Sequence, residues 1–347
     1  MNEAETGPTA VLVITDGRAG NRAQALGLAE ALGRAVPAAI AEATVAPTAL
    51  AARLPASLWH AASTCFASWP EAGLRAALPR PDPGTLLIGA GRRAAPVVAA
   101  LARRQGLRSV QILDPQMPLE AFDRVVVPRH DGVSGPNVIE TLGSPGRLTA
   151  ASIAAAAGPW RDRLGAIEGP RVALLLGGPS RSARWSGAEE EGLLAAIDAI
   201  AAAGHGLLVT PSRRSAPALV EAIAARAAAQ PERIWLWDGR GDNPYPGLLG
   251  LADAVLVTAD SVNMASEAAA TGRPVHVFGL AGLRPKLRAF HAALEAHGAA
   301  RPFAGQIGQW RYPPLAEADR VAALLARDLL AGKRLPGDRP APPLNRP

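Results

Sequence analysis

The chain has 347 residues, 49% hydrophobic and 19% charged; at about 100 to 200 residues per domain, this length favours two domains, and the composition excludes a disordered or fibrous chain. Cys65 is the only cysteine, so neither an intrachain disulfide nor a cysteine-based zinc cluster can form. The net charge of +6 rests almost wholly on arginine, Lys286 and Lys333 being the only lysines, and the planar guanidinium fork suits a nucleotide or a phospholipid surface. Nucleic acid is not expected, because aromatics are 4% of the chain and no basic stretch is interleaved with them for base stacking.

In chain order, Met1 to Ala10 carry Glu3 and Glu5 and lack the basic region and cleavage site of a secretory signal. No apolar run reaches the roughly 18 residues of a membrane-spanning helix, so the expected location is cytoplasmic. Val11 to Thr15 reads as a strand, followed by a glycine-containing turn and a helix around Gln24 to Leu32. Strand-like runs then recur at Thr85 to Ile88, Ser109 to Leu113 and Arg124 to Val127, with a helix over Ala94 to Arg104. The alanine-rich stretch from Thr149 to Gly169 carries no strand signal and marks a junction.

A second series follows it. Arg171 to Leu176, His205 to Thr210, Arg233 to Trp237, Ala254 to Thr258 and Pro274 to Phe278 read as strands, with helices over Gly187 to Ala203, Ala216 to Ala229, Ser261 to Thr271 and Lys286 to His297. The expected class is α/β, two Rossmann-like domains at 1–155 and 166–330, the second closed by a helix over Val321 to Leu330. A Pro-rich tail over 335–347 cannot continue that helix and is expected to be disordered.

Ligands of open parallel sheets bind at the carboxyl ends of the strands. Four turns there carry candidate chemistry. In Thr15-Asp16-Gly17-Arg18-Ala19-Gly20-Asn21, Gly17 and Gly20 allow close backbone approach and Asn21 could cap a helix. In Gly89-Ala90-Gly91-Arg92-Arg93, paired arginines at a helix N-terminus point to an anion, because the helix dipole otherwise repels them; solvated surface charge is the alternative. Leu176-Gly177-Gly178-Pro179-Ser180-Arg181 repeats the form, and Ser212-Arg213-Arg214 follows the next strand. The fourth turn, from Thr258, has Asp260 or Ser261 as a helix cap and Glu267 where a carboxylate can accept two hydrogen bonds from a ribose diol.

The run S-x-x-M-x-S-E-A-x-x-x-G-x-P-V from Ser261 is similar to the nucleotide-binding segment of GT-B glycosyltransferases. Together with DGRAGNRAQALGLAEAL, GAGRR, PRHDGVSGPNVIETLG, LLLGGPS and TPSRRS, it resembles the mitochondrial-fission ELM family over about residues 11 to 325. The resemblance implies two Rossmann-like domains facing across a cleft. It also implies a nucleotide-diphosphate sugar donor held by Ser261, Met264, Ser266 and Glu267, with Gly177, Gly178, Ser180, Ser212, Arg213 and Arg214 round its diphosphate. No cofactor or metal is expected, since helix dipoles and cations can stabilise a departing diphosphate and the chain lacks an Asp-x-Asp pair.

For the base that takes the acceptor's proton, His130-Asp131 and Asp16 are the candidates, and Gly17, Gly20, Asn21, Gly91 and Arg92 fall on the acceptor or anion side. The remaining histidines have no metal-ligand spacing. Trp59, Phe66 and Trp69, flanked by Arg53 and Arg75, fit either a buried helix or a peripheral membrane contact that admits a lipid-linked acceptor. The expected function is a glycosyltransferase of envelope or surface glycan synthesis. A nucleotide-sugar epimerase on the same fold and a non-catalytic adaptor, the role associated with plant relatives, stay open.

Overall fold

The computed structural model describes residues 10–49, 53–65, 79–180 and 183–330. Two compact units divide the chain, Met1–Arg147 with Glu317–Pro347, and Leu148–Ala316.

In the first unit the elements run β1 (Ala10–Thr15), α1 (Ala19–Ala35), β2 (Ala39–Thr44), α2 (Ala56–Cys65), β3 (Thr85–Ala90), α3 (Ala95–Gln105), β4 (Ser109–Ile112), β5 (Arg124–Pro128) and β6 (Val138–Thr141). The six strands form one parallel sheet in the order β2-β1-β3-β4-β5-β6. Alternate residues of β1 feed opposite faces. Val11 and Val13 pack with Leu28 and Leu32 of α1, while Leu12 and Ile14 pack with Val97 and Val98 of α3 and with Trp59. Such two-sided burial is what a parallel sheet requires. Trp59 is 2% exposed, so it belongs to this core and not to an interfacial surface; Phe66, Trp69 and Arg75 lie outside the described residues, as does the 335–347 tail.

The second unit contains α4 (Ala150–Ala156), α5 (Gly158–Arg161), β7 (Arg171–Leu176), α6 (Gly187–Ala202), β8 (Gly206–Pro211), α7 (Pro217–Ala229), β9 (Ile234–Leu236), α8 (Tyr245–Leu251), β10 (Ala254–Thr258), α9 (Val262–Ala269), β11 (Val275–Phe278), α10 (Pro285–Ala296) and β12 (Ala300–Pro302). Its sheet is also parallel and six-stranded, ordered β12-β11-β10-β7-β8-β9. Leu193, Ile197 and Ile200 of α6 and Leu219 and Ile223 of α7 cover one face of it.

The final described helix, α11 (Glu317–Leu330), departs from the expected division. Its Ala318, Val321, Ala322, Leu325 and Ala326 recur at helical spacing and complete the α1 side of the first unit's core. Arg34 and Asp319 pair at 2.5 Å, and Arg124 and Asp328 at 2.8 Å. Residues 317–330 thus extend the first unit instead of closing the second, because their apolar stripe matches the surface of α1. The second unit begins at Leu148 and includes α4 and α5. Among the described residues no helix is long and apolar enough to cross a membrane.

Candidate functional site

In each sheet the strand order reverses once. In the second unit β7, β8 and β9 proceed toward one edge and β10, β11 and β12 toward the other, so the chain leaves β7 and β10 in opposite directions, and the carboxyl ends of these two strands are where ligands of open parallel sheets bind. The loops after them hold Gly177-Gly178 and Asp260-Ser261.

Asp260 organises those loops. Its carboxylate, wholly shielded from solvent, pairs with Arg214 at 2.7 Å. It also accepts from the Gly178 N–H at 3.1 Å and the Thr258 hydroxyl at 2.7 Å. Arg214 donates in turn to the Gly178 carbonyl at 2.6 Å, and Ser215 to the Gly177 carbonyl at 2.7 Å. Three loops, after β7, β8 and β10, are thereby tied together. The glycines are required by this node, since a Cβ on Gly177 would collide with the Asp260 carboxylate and one on Gly178 with the Arg214 backbone. Both glycine amides are engaged within the node, Gly177 donating to Thr258 Oγ1 at 2.9 Å.

Of the two expected caps for α9, Ser261 is the one used: its Oγ accepts from the Met264 N–H at 3.3 Å, which frees Asp260 for the node. Ser266 is buried and donates its hydroxyl to the Val262 carbonyl at 2.7 Å, a bond within its own helix. Met264 is half-buried. Glu267 is part-buried, and the Tyr245 hydroxyl donates to its Oε2 at 2.7 Å. Burial pushes the Glu267 carboxyl up to about 7, against the opposing pull of that bond. Burial and the Glu267 charge hold Tyr245 well above the usual phenol range. In the turn after β8, Arg213 is exposed and the Ser212 hydroxyl accepts from the Arg214 N–H. Ser180 closes a small turn with Ala183 through two bonds.

Beside α10 lies a cavity of about 230 Å³ whose lining includes Ala259, Val277, Arg288, His291 and Glu295. His291 bonds the Ala259 carbonyl through Nε2 at 2.8 Å; burial lowers its pKa although Ala259 and Asp260 pull the other way.

The first unit reverses strand order between β1 and β3, whose ends Thr15 and Ala90 are register partners. Asp16, its side chain 3% exposed, pairs with Arg18 at 3.4 Å and accepts from the Asn21 side chain at 2.9 Å. Asn21 is therefore not the cap of α1: the cap position is Arg18, without a side-chain bond, and Asn21 lies in the first turn with its amide turned back to Asp16. A Cβ on Gly91, at φ 84°, would collide with that amide, so the loops after β1 and β3 are packed against each other. Gly17 also has positive φ, and Gly20 lies inside α1. Arg92 is exposed and reaches Gln116 at 3.5 Å. His130 and Asp131 occupy a short 3-10 turn after β5, two strands beyond β3, 3.4 Å apart with side chains 6% exposed.

The candidate residues thus gather by unit: Gly177, Gly178 and Arg214 round Asp260, with Ser212 and Arg213 in the turn after β8, Ser261 capping α9 and Met264, Ser266 and Glu267 on it, and Asp16, Asn21 and Gly91 together in the first unit. His130 and Asp131 stand apart from the latter. Sequence reasoning missed Asp260 as an organiser and Tyr245 altogether; the signal for Tyr245 is the Asn-Pro-Tyr-Pro turn, in which Asn243 accepts from the Tyr245 N–H at 3.1 Å. Among the described residues no group of three or more His, Cys, Asp or Glu is arranged to hold a metal ion.

A family profile described as Mitochondrial fission ELM1 matches residues 19–329. The ELM1 protein of Arabidopsis thaliana is 28% identical over 278 residues, covering 72% of this chain and 65% of the plant protein, so the match spans less than two thirds of that relative. Among solved structures, the UDP-GlcNAc 2-epimerase of Methanocaldococcus jannaschii aligns over 91% of this chain and 99% of its own, with a TM-score of 0.55 and 10% identity. The MnaA–UDP structure of S. aureus aligns over 95% and 90%, with a TM-score of 0.51 and 12% identity. At these identities the likeness is one of fold, the GT-B class of paired parallel α/β units.

Proposed function

The chain belongs to the Mitochondrial fission ELM1 family, and from that premise we propose that its second unit binds a nucleotide-diphosphate sugar, whose glycosyl group the protein transfers to an acceptor hydroxyl without a metal ion. One observation carries the reading. Glu267 sits on the helix that opens at the strand-order reversal, its carboxyl buried, held by Tyr245 and in no ion pair among the described residues. A carboxylate so placed accepts hydrogen bonds from a ribose diol.

The diphosphate is met by the positive end of the α9 dipole and by the exposed Arg213. Gly177 and Gly178 shape the turn, because their amides are already engaged. In the transfer, the acceptor oxygen bonds to the anomeric carbon as the bond from that carbon to diphosphate breaks. The electron pair leaves with the diphosphate, where the helix dipole and arginine stabilise it. The acceptor's proton passes to a base, for which His130-Asp131 and Asp16 remain the candidates; the acceptor is a glycan or a lipid-linked glycan. UDP-sugars are the first probes, since the descriptions of the structural neighbours name UDP-GlcNAc and UDP.

The test is incubation with a panel of nucleotide sugars, with and without glycan acceptors. Nucleotide released only when an acceptor is present supports transfer. An isomerised sugar formed without acceptor would replace transfer by epimerisation, and failure to bind any nucleotide would leave the adaptor role.

A further inference from the structure

We infer that Tyr245 is a positioning residue of the nucleoside site: its hydroxyl holds one carboxylate oxygen of Glu267 and reserves the other, Oε1, for the ribose hydroxyls. The inference rests on the nucleotide reading above. The bond is short, 2.7 Å from Tyr245 Oη to Oε2, and the tyrosine stands on a firm base. Asn243 accepts from its N–H and Pro246 follows it in α8. The helix lies flush on α4 and α5, since a Cβ on Gly247 would collide with Trp160 and one on Gly250 with the Ile153 carbonyl. A glutamate carboxylate left to itself rotates among rotamers. Tied through Oε2, it presents its remaining lone pairs in one direction, which favours a vicinal diol over a single hydroxyl.

The electrostatics agree with the geometry. The carboxyl, pushed up to about 7 by burial, is pulled down by Tyr245, whose own pKa is driven upward so that it stays a donor through the neutral range. Among the described residues Tyr245 is the titratable group that bears on Glu267; His291 and Asp260 interact with each other at the Ala259 end. Diol binding that needs the carboxylate therefore strengthens as pH rises through about 7. Loss of the tyrosine hydroxyl removes the downward pull and moves that rise to higher pH.

The experiment measures the affinity of UDP-N-acetylglucosamine, whose phosphates are both esterified and do not titrate near neutrality, across the neutral range. It compares the full chain with Tyr245→Phe and Glu267→Gln. Wild-type affinity should rise with pH, Tyr245→Phe should move the midpoint upward by about half a unit or more, and Glu267→Gln should flatten the profile. The wild type should also bind UDP roughly tenfold more tightly than 2′-deoxy-UDP. If Tyr245→Phe weakens binding by the same factor at every pH, or if the wild type binds the 2′-deoxy nucleotide equally well, the inference is overturned while the nucleotide reading stands. No binding of nucleotide or nucleotide sugar at any pH overturns both. The ribose comparison needs no variant, so it can overturn the inference even if Tyr245→Phe does not fold.

Discussion

The loop pair after β1 and β3 and the loop pair after β7 and β10 occupy equivalent topological positions, yet they use their carboxylates differently. In the first, Asp16 is closed within its own loop by Asn21 and by Arg18, a partner whose side chain is 66% exposed. In the second, Asp260 does the same work for three loops with a wholly buried carboxylate, and a second carboxyl, Glu267, has no cation beside it among the described residues and is raised to about 7. A buried acid compensated by arginine holds loops in place. One compensated only by a tyrosine hydroxyl retains an unfavourable charge that a ligand can relieve. The comparison teaches that two carboxyls beside the same strand-order reversal can serve different ends, the one paired with arginine holding loops and the one without a guanidinium partner keeping a charge still to be answered.

The largest expected effect tests whether the first unit carries the chemistry. If His130-Asp131 supplies the base, His130→Ala should lower kcat by about 100-fold or more while nucleotide affinity stays near wild type. Unchanged kcat would shift the role to Asp16, and the parallel measurement on Asp16→Asn would then show the loss.

Next comes the loop-holding pair. Arg214→Ala leaves the buried Asp260 carboxylate uncompensated and should destabilise the protein by about 2 to 4 kcal/mol, the lower part reflecting the solvent that already reaches Arg214. Urea unfolding gives the value, and a loss below roughly 0.5 kcal/mol would show that the node does not anchor the loops it joins.

Glu267 should behave in the opposite way. Its folded pKa lies above its unfolded one, so ionisation penalises folding from about pH 4.5 upward, fully above about 7. Glu267→Gln should therefore stabilise the protein by roughly 1 to 3 kcal/mol at pH 8 and change little near pH 5. Thermal melts at the two pH values check this, and a uniform effect would mean that Glu267 carries no such penalty. The smallest effect sharpens the contrast: Arg18→Ala, at an exposed partner of Asp16, should cost less than about 1 kcal/mol.

Much of the fold was legible because its central strands are continuous apolar runs. Arg171–Leu176 and Ala254–Thr258 are observed with the expected bounds, since strands covered on both faces leave little ambiguity. The edges were not legible. β2 is an alanine-rich strand with its residues mostly exposed, and β12 has three residues ending in proline, so neither shows a period. α8 holds a proline and two glycines in seven residues, a loop by composition and a helix only because α4 and α5 accept its bare surface. In the site, the spacing that singled out Glu267 is local and survives in the sequence. The distant partners of Asp260, Gly178 and Arg214, come from two other loops, and no spacing announces them.

The placement of α11 has a consequence for the order in which the protein is made. Its stripe from Ala318 to Ala326 closes the core that α1 begins, yet the ribosome reaches it only after completing Leu148–Ala316. At about 5 to 20 residues per second, the amino-terminal unit waits on the order of ten seconds with the flank of α1 uncovered. The intervening unit is an uninterrupted segment and can fold during that interval. Synthesis therefore completes the inner unit before the outer one, and the nascent chain is most vulnerable to chaperones and proteases along the face of α1 that α11 will seal.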